Sequence, residues 1–595
     1  MARNKFDIDE SMDSPFNFNH LFKTGKYLKK HLKEMIIAFL IGVAGMVLAL
    51  LVPQFIKYAV DNLMVPGSDK YFELIIIGVI VTVLLAASIA LFRYRELAMN
   101  RMGNEIIHDI RRDLFVHLQK LSFQYYDSRP NGKILVRVIN YVNNVSEVLS
   151  NGILNLILEI INLIFMLIFM LITSWELTLL ALAGIPIIIT VILIFKPIQR
   201  KGWQSHSNKQ SNMTAYLSES LDGIKITQAF TREEENAAIY DKLNEMTRDK
   251  WVEVQSATAA VWVSVDMVNR VTGTLIYVGG ALWFAPAVSF GTILAMAGYA
   301  SRFWQPILNL SNLYNSFITA VAYLERIFET MNEPVSVDDK ENAYDLPAIT
   351  GEVKFDNVTF AYEKQINILE NVNFTVSPGQ NIALVGPTGA GKTTVVNLIS
   401  RFYDLSGGAV LIDGHNIADV TLQSLRSQMG IMMQDSFIFS GTILDNIRYG
   451  KLDATFEDVV AAAKTVYAHD YIMGQEKGYD TEIGERGGGL SAGEKQLISF
   501  ARTLISDPKI LILDEATSSI DIKTEKLLQK GLQELLKGRT SFIVAHRLST
   551  IQHCDKIMYI SEKGIAESGT HQELLKLKGK YYDLYSAQKP VTVEV

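Results

Sequence analysis

Cysteine is nearly absent from this sequence: Cys554 is the only one in 595 residues. A single thiol cannot close an internal disulfide, so nothing points to secretion, and a cysteine-based metal or redox centre has no ligand set. A strong excess of charge of one sign is lacking as well. The net charge of -7 arises from 56 basic and 63 acidic residues, and no basic stripe suggests a nucleic-acid partner. Residues 1–15 are polar without an apolar core, so no signal peptide is expected. Before about residue 330 charge of either sign is scarce and long runs of Ile, Leu, Val, Ala and Phe dominate, whereas beyond it charge and glycine return. A chain of this length exceeds one hydrophobic core, and the contrast predicts a membrane half followed by a soluble half.

Met35 to Ile56 carries no charge, and about 20 such residues cross a bilayer as a helix. The same reasoning predicts spans at Leu74 to Phe92, about Gly152 to Ser174 with Glu159 inside, and Leu177 to Phe195. The charge-free stretch Val271 to Ser301 is too long for one crossing and breaks at "APAVSFG" (285–291), giving spans of about 262–285 and 290–312, six in all. The short links at 61–73, 175–176 and 285–290 hold one lysine between them. The N-terminus and the segments from Arg93 to Arg137 and Lys196 to Lys250 are rich in Lys and Arg, which predicts that both termini are cytoplasmic. The two inner segments carry helix formers at helical spacing and little loop punctuation, so they are expected to prolong the membrane helices into the cytoplasm. "FNFNHLFKTGKYLKKHLKEM" (16–35) mixes aromatics and leucine with lysines, which suits an interfacial helix or a basic lead-in to the first span. The expected domains are 1–34, an N-terminal elbow; 35–330, the membrane domain; 331–350, a linker; and 351–595, the soluble domain.

Charges inside spans are costly and normally face protein or a water-filled cavity. Asp266 and Arg270 lie four apart and share a helix face, which suits a mutually neutralised structural pair or a substrate contact. Arg302, near Trp304 and Gln305, is a candidate for a polar cavity wall or for packing against a partner helix.

The soluble half opens on the alternating "GEVKFDNVTFAYE" (351–363), a predicted strand. "IALVGPTGAGKTT" (382–394) is a short apolar strand entering Gly386-Pro387-Thr388-Gly389-Ala390-Gly391-Lys392-Thr393-Thr394, followed by an apolar helix pattern. Glycines in such a loop let backbone N–H groups curl around phosphates, the lysine reaches the β/γ-phosphates, and the Thr393 hydroxyl can ligate Mg2+. The apolar run Ile510 to Leu513 ends in Asp514-Glu515: a carboxylate there suits Mg2+ coordination and the next suits orienting the attacking water. "FIVAHR" (542–547) is a third buried strand, delivering His546 to the same sheet edge as a γ-phosphate partner.

With these motifs in this order, nearly the whole chain resembles a half-transporter of the ABC exporter family, type IV or B-type. The resemblance implies an α-helical membrane domain of six transmembrane helices with long cytoplasmic extensions, followed by an α/β P-loop ATPase domain, with ATP and Mg2+ as cofactors. It implies that Tyr362 stacks on adenine, that Gln434 senses Mg2+ and the membrane domain, and that Asp521 is the D-loop aspartate. "YYDSRPNGKILVRV" (125–138) and "ESLDGIKITQAFTREEE" (219–235) resemble the inner connections that bear coupling helices, and "TEIGERG" (481–487) resembles the segment that touches the inner helices. It further implies a dimer in which the P-loop of one subunit and the signature of the other sandwich each ATP.

The signature of this chain is Leu490-Ser491-Ala492-Gly493-Glu494, where the family has Leu-Ser-Gly-Gly-Gln. Ser491 and Glu494 have capping-box spacing, yet a carboxylate at this helix N-terminus opposes the γ-phosphate expected to dock there. Beside an intact P-loop and Glu515, this asymmetry predicts a heterodimer with a second ABC half-transporter subunit. The expected function is ATP-driven export of amphipathic small molecules such as drugs or lipids, in a bacterial inner membrane. The alternatives are a dedicated lipid or envelope-precursor flippase and, from a different class, an ATP-gated channel or regulatory subunit. A peptide exporter fits less well, because no peptidase-like domain precedes residue 16.

Overall fold

The computed structural model describes residues 25–588 apart from 68, 130, 149–151, 285–287, 364–365, 434–435, 515–521 and 545–550. The chain forms two compact units: one runs to Gln119 and resumes over Gly132–Asn332, and the other comprises Lys120–Asn131 and the chain from Glu333 onward.

The first unit is helical. Four of its described helical stretches, Leu32–Asn62, Tyr71–Lys120, Ile153–Thr173 and Trp175–Asp222, are long and apolar enough to cross a membrane. Glu233–Val278 and Phe290–Met331 are also long helices, but Asp266, Asn269 and Arg270 in one and Arg302, Gln305 and Asn309 in the other dilute their apolar character. The 50 residues of Tyr71–Lys120 make a rod of about 75 Å, against a hydrocarbon core of about 30 Å. The expected helical prolongation of this span is therefore present. Small residues permit close packing of the first two helices: Ala38, Gly42 and Gly45 are buried, and Ser88 Oγ donates to the Gly45 carbonyl at 2.8 Å. At the break near residue 289, Ser289 caps the next helix by accepting from Thr292 N, and the Asp61 carboxylate accepts from Ser289 Oγ at 2.6 Å and Gly291 N at 2.8 Å.

The basic lead-in contains a short helix, Gly25–Lys30. Tyr27 is buried and its hydroxyl donates to Asp113 at 2.9 Å, Lys26 reaches the same carboxylate at 3.3 Å, and Lys30 binds Asp109 at 2.5 Å. These lysines are paired with the second long helix.

Among its described residues the second unit holds two large sheets besides a small pair of Gly441–Thr442 with Glu482–Ile483. Val353–Glu363 pairs antiparallel with Ile366–Val376 and Gly407–Ile412. The other sheet has six strands in the spatial order Gly564–Gly569, Lys556–Ser561, Asn381–Val385, Thr540–Val544, Ile510–Asp514, Met429–Met432, parallel except at the Gly564–Gly569 edge. Alternation distributes its side chains to two cores. Ala383, Val385, Leu511, Leu513 and Ile543 enter one, and Ile382, Leu384, Ile510, Ile512, Phe542 and Val544 enter the other. Burial on both faces explains why these strands read as unbroken apolar runs.

Two boundaries differ from the expected linker and domain limits. Within 331–350, Val337, Leu346 and Ile349 are buried, Tyr344 bridges Val420, and Ile349 N donates to Gln428 Oε1 at 3.0 Å; from Glu333 onward the segment packs as part of the α/β unit. The helix Phe123–Asp127 also belongs to this unit. Its Phe123 ring lies 4.3 Å from that of Phe402, the Tyr403 hydroxyl donates to the Asp127 carboxylate, and Ser336 Oγ donates to Ser122 Oγ at 2.6 Å.

Candidate nucleotide site and membrane cavity

The strand Asn381–Val385 ends at Gly386, where φ is +144° and a Cβ would stand 2.2 Å from the Ile560 carbonyl oxygen. Only glycine lets the chain turn out of the sheet here. Gly391, at φ +102°, starts the helix Lys392–Ile399, whose first-turn N–H groups have no intrahelical acceptors and favour an anion. Lys392 is buried, and its ammonium donates to the Gly386 and Pro387 carbonyls at 2.9 Å each. Burial pushes this ammonium below the usual lysine range, and Asp514 pulls it partly back.

Thr393 Oγ1 donates to Asp514 Oδ2 at 3.3 Å, so a hydroxyl and a carboxylate converge beside the loop. Hard oxygen donors of this kind, with nucleotide phosphates, suit Mg2+, and the glycine cradle suits ATP. On the helix side, the Tyr362 hydroxyl and Thr394 Oγ1 are 3.1 Å apart. The Tyr362 ring is 37% exposed, with Phe360 and Tyr403 set edge-on against it at 4.9 and 5.1 Å. That leaves ring surface to stack on a base.

Gln434, Glu515, Asp521 and His546 lie outside the described residues. The strands that precede Gln434, Glu515 and His546 are described. Met432 pairs with Leu513, and Val544 pairs with both Asp514 and Leu384, so these three strands and the P-loop strand finish at one sheet edge. Ligands of parallel α/β sheets bind at such carboxyl ends.

The signature forms the start of the helix Ala492–Leu504. Ser491 Oγ accepts from Glu494 N at 3.3 Å, and the Glu494 carboxylate accepts from Ser491 N at 2.7 Å, a complete capping box. The Tyr471 hydroxyl binds the same carboxylate, and burial together with that negative charge raises its pKa to about 12. Gly493 is buried, Leu490 packs on the adjacent core, and Ser491 and the Ala492 methyl are exposed. Capping therefore holds the Glu494 carboxylate at this helix start.

In the membrane unit a cavity of about 550 Å³ opens between Leu32–Asn62, Tyr71–Lys120, Ile153–Thr173 and Phe290–Met331. Arg302 lines it, with Nη1 donating to the Ala49 carbonyl at 3.3 Å. Trp304, expected beside it, does not. Two residues along a helix turn the side chain through roughly 200°, and Trp304 is 3% exposed, with its ring 3.0 Å from where a Cβ on Gly184 would stand. Asp266 and Arg270 form the expected i,i+4 pair at 2.7 Å but do not line the cavity. Asn155, Asn162, Gln305 and Asn309 do line it. Their signal was a polar stripe at helical spacing inside two apolar stretches.

The family described as ABC transporter transmembrane region matches residues 35–307, and that described as ABC transporter matches residues 369–518. The ABC transporter ATP-binding protein YknV of Bacillus subtilis is 40% identical over 100% of this chain and 98% of its own length. The chain belongs to the ABC transporter family. A second Bacillus subtilis relative, named as the multidrug export ATP-binding/permease protein YgaD, is 36% identical over 95% of this chain and 98% of its own. Among solved structures, a bacterial Atm1-family ABC exporter with ATP bound aligns with a TM-score of 0.79 at 28% identity, over 95% of this chain and 99% of that one. This ABC transporter is thus an integral membrane protein with a helical transmembrane domain and an ATPase domain that couples ATP hydrolysis to export.

Proposed function

We propose that this chain is one half of a heterodimeric exporter of amphipathic small molecules, with two unequal ATP sites. The observation that carries the reading is Glu494, capped at the first turn of the signature helix, beside a P-loop whose cradle and lysine are intact. In this reading Lys392, Thr393, Asp514, Gln434, Glu515 and His546 act with the signature of a partner half-transporter and form the fast site. Mg2+ held by Thr393, Gln434 and Asp514 would neutralise phosphate charge there. The signature of this chain completes a slow site on the partner's P-loop. An added anion about 4 Å from a docked phosphate costs about 1 kcal/mol in water and about 4 kcal/mol at an effective dielectric of 20.

Six spans, both termini cytoplasmic and a bacterial inner membrane complete the proposal, supported by the lysine and arginine distribution and the two further long helices. The name of the YgaD relative supports multidrug substrates. The helix Ile224–Ala229 leaves Ile226 and the following Phe230 exposed at 65% and 73%, apolar surface that suits a partner's ATPase domain. The test is to purify the chain alone and together with products of neighbouring genes, then measure assembly and ATPase activity. Activity should require the mixed complex; two equally fast sites in a complex of this chain alone would overturn the heterodimer.

A further inference from the structure

Two polar stripes meet inside the apolar half. Asn155, Glu159 and Asn162 fall at i, i+4 and i+7 of one helix, and Arg302, Gln305 and Asn309 at i, i+3 and i+7 of another, so each set shares a face. All six line the 550 Å³ cavity, and Asn309 Nδ2 donates to Glu159 Oε1 at 2.7 Å. Arg95 joins them from the second helix. The lining thus carries two guanidinium groups against one carboxylate, and that carboxylate already accepts a hydrogen bond.

The arginines retain donor capacity. Among the described residues Arg302 makes one long bond to a carbonyl, although a guanidinium has five N–H donors. Arg95 has its side chain 16% exposed and its Nε buried without a hydrogen-bond partner among the described residues, while its Nη2 makes a loose ion pair with Glu96 at 3.6 Å. Arg302 falls within the expected span 290–312, where an arginine costs about 2.5–3.5 kcal/mol or more, and Arg95 stands three residues past the inner end of the expected span Leu74 to Phe92, so two guanidinium groups beside one cavity suit a ligand of opposite charge. The lining also has an apolar part, with Met46, Leu50 and Met166 all buried. The volume lies in the range of about 300–1,000 Å³ that holds drug-sized molecules.

We propose that this cavity binds an amphiphile with a single acidic headgroup, a phosphate or carboxylate held by Arg95 and Arg302, with its hydrocarbon against the Met46, Leu50 and Met166 side chains. Guanidinium groups match both headgroups through paired N–H donors. The proposal names the substrate class of the exporter and rests on that reading.

The test is equilibrium binding to the full chain in phosphatidylcholine nanodiscs, comparing dodecyl phosphate, dodecyltrimethylammonium and dodecyl maltoside at submicellar concentration. Dodecyl phosphate should bind saturably and at least about tenfold more tightly than the others, the equivalent of 1.4 kcal/mol. Arg302→Gln and Arg95→Gln should each erase most of that preference, Arg302→Lys should keep part of it, and Glu159→Gln, which removes the one carboxylate of the lining, should strengthen it. Tighter binding of the ammonium compound, abolished by Glu159→Gln, would overturn the proposal, as would equal binding of all three. The wild-type selectivity decides the matter even where a variant fails to fold. Displacement of dodecyl phosphate by phosphatidic acid would identify a lipid headgroup as the ligand, and lack of displacement a soluble amphiphile. ATP-dependent flux of cationic but not anionic amphiphiles in vesicles carrying the assembled transporter sinks this proposal alone. No ATP-dependent flux of any amphiphile sinks the exporter reading.

Discussion

Single residues in the P-loop and signature give separable outcomes. Gly386→Ala places a methyl 2.2 Å from the Ile560 carbonyl, and overpacking of this kind costs about 1–3 kcal/mol, so thermal melting of the ATPase domain should fall together with nucleotide binding. Ser491→Ala removes the acceptor for Glu494 N and should cost about 1 kcal/mol. Glu494→Gln keeps an acceptor for Ser491 N and should stay within about 0.5 kcal/mol of wild type. In the heterodimer it should nevertheless raise turnover at the slow site about tenfold, because the charge facing the phosphate is gone. Unchanged turnover in single-site assays would show that capping alone explains the glutamate. The capping box was legible from the spacing of Ser491 and Glu494. The role of Tyr471 was not, because it depends on a helix over 20 residues upstream folding back against the signature.

At the scale of elements, the piece of the first inner connection that belongs to the ATPase unit connects to the nucleotide site through few contacts. Phe402 and Tyr403 follow the P-loop helix and hold Phe123 and Asp127, and Gln124 Nε2 donates to the Tyr362 carbonyl at 3.4 Å. Burial and the Asp127 carboxylate push the Tyr403 phenol far above its usual range, so it stays a donor at physiological pH. Tyr403→Phe should preserve ATP binding while lowering transport per ATP hydrolysed, measured as flux and phosphate release in the same vesicles. A second element, the C-terminal pair His571–Leu577 and Lys580–Gln588, is joined by His571 Nδ1 and the Tyr581 hydroxyl at 2.7 Å. Burial lowers the His571 pKa. The unfolded chain then binds the proton more readily, so this contribution to stability is complete above about pH 6.5 and is lost as pH falls through the folded value. Melting should therefore drop as pH falls below about 6.5, and His571→Gln should flatten part of that drop.

For the whole molecule, the decisive quantity is coupling between ATP turnover and flux. Glu515→Gln in the assembled transporter should stop ATP-driven flux, whereas flux that continues without turnover would favour a channel. The order of the halves, the long helices and the P-loop strand were all readable from the sequence, because hydrophobic period and glycine spacing are local properties. The linker assignment for 331–350 differed from the packing: Leu346 and Ile349 are isolated apolar residues, and their burial depends on Gln428 and Val420 arriving from far along the chain.

By itself, the sequence determined which segments are apolar enough for a membrane, where phosphate-binding glycines precede a lysine, and that Glu494 stands in a signature. These follow from composition and spacing along a few turns or strands. Only tertiary structure decided that Trp304 turns from the cavity while Asn309 meets Glu159 within it, and that Phe123–Asp127 packs in the α/β unit. Which faces of separate helices oppose one another is set by their rotation and packing, and no local pattern encodes that.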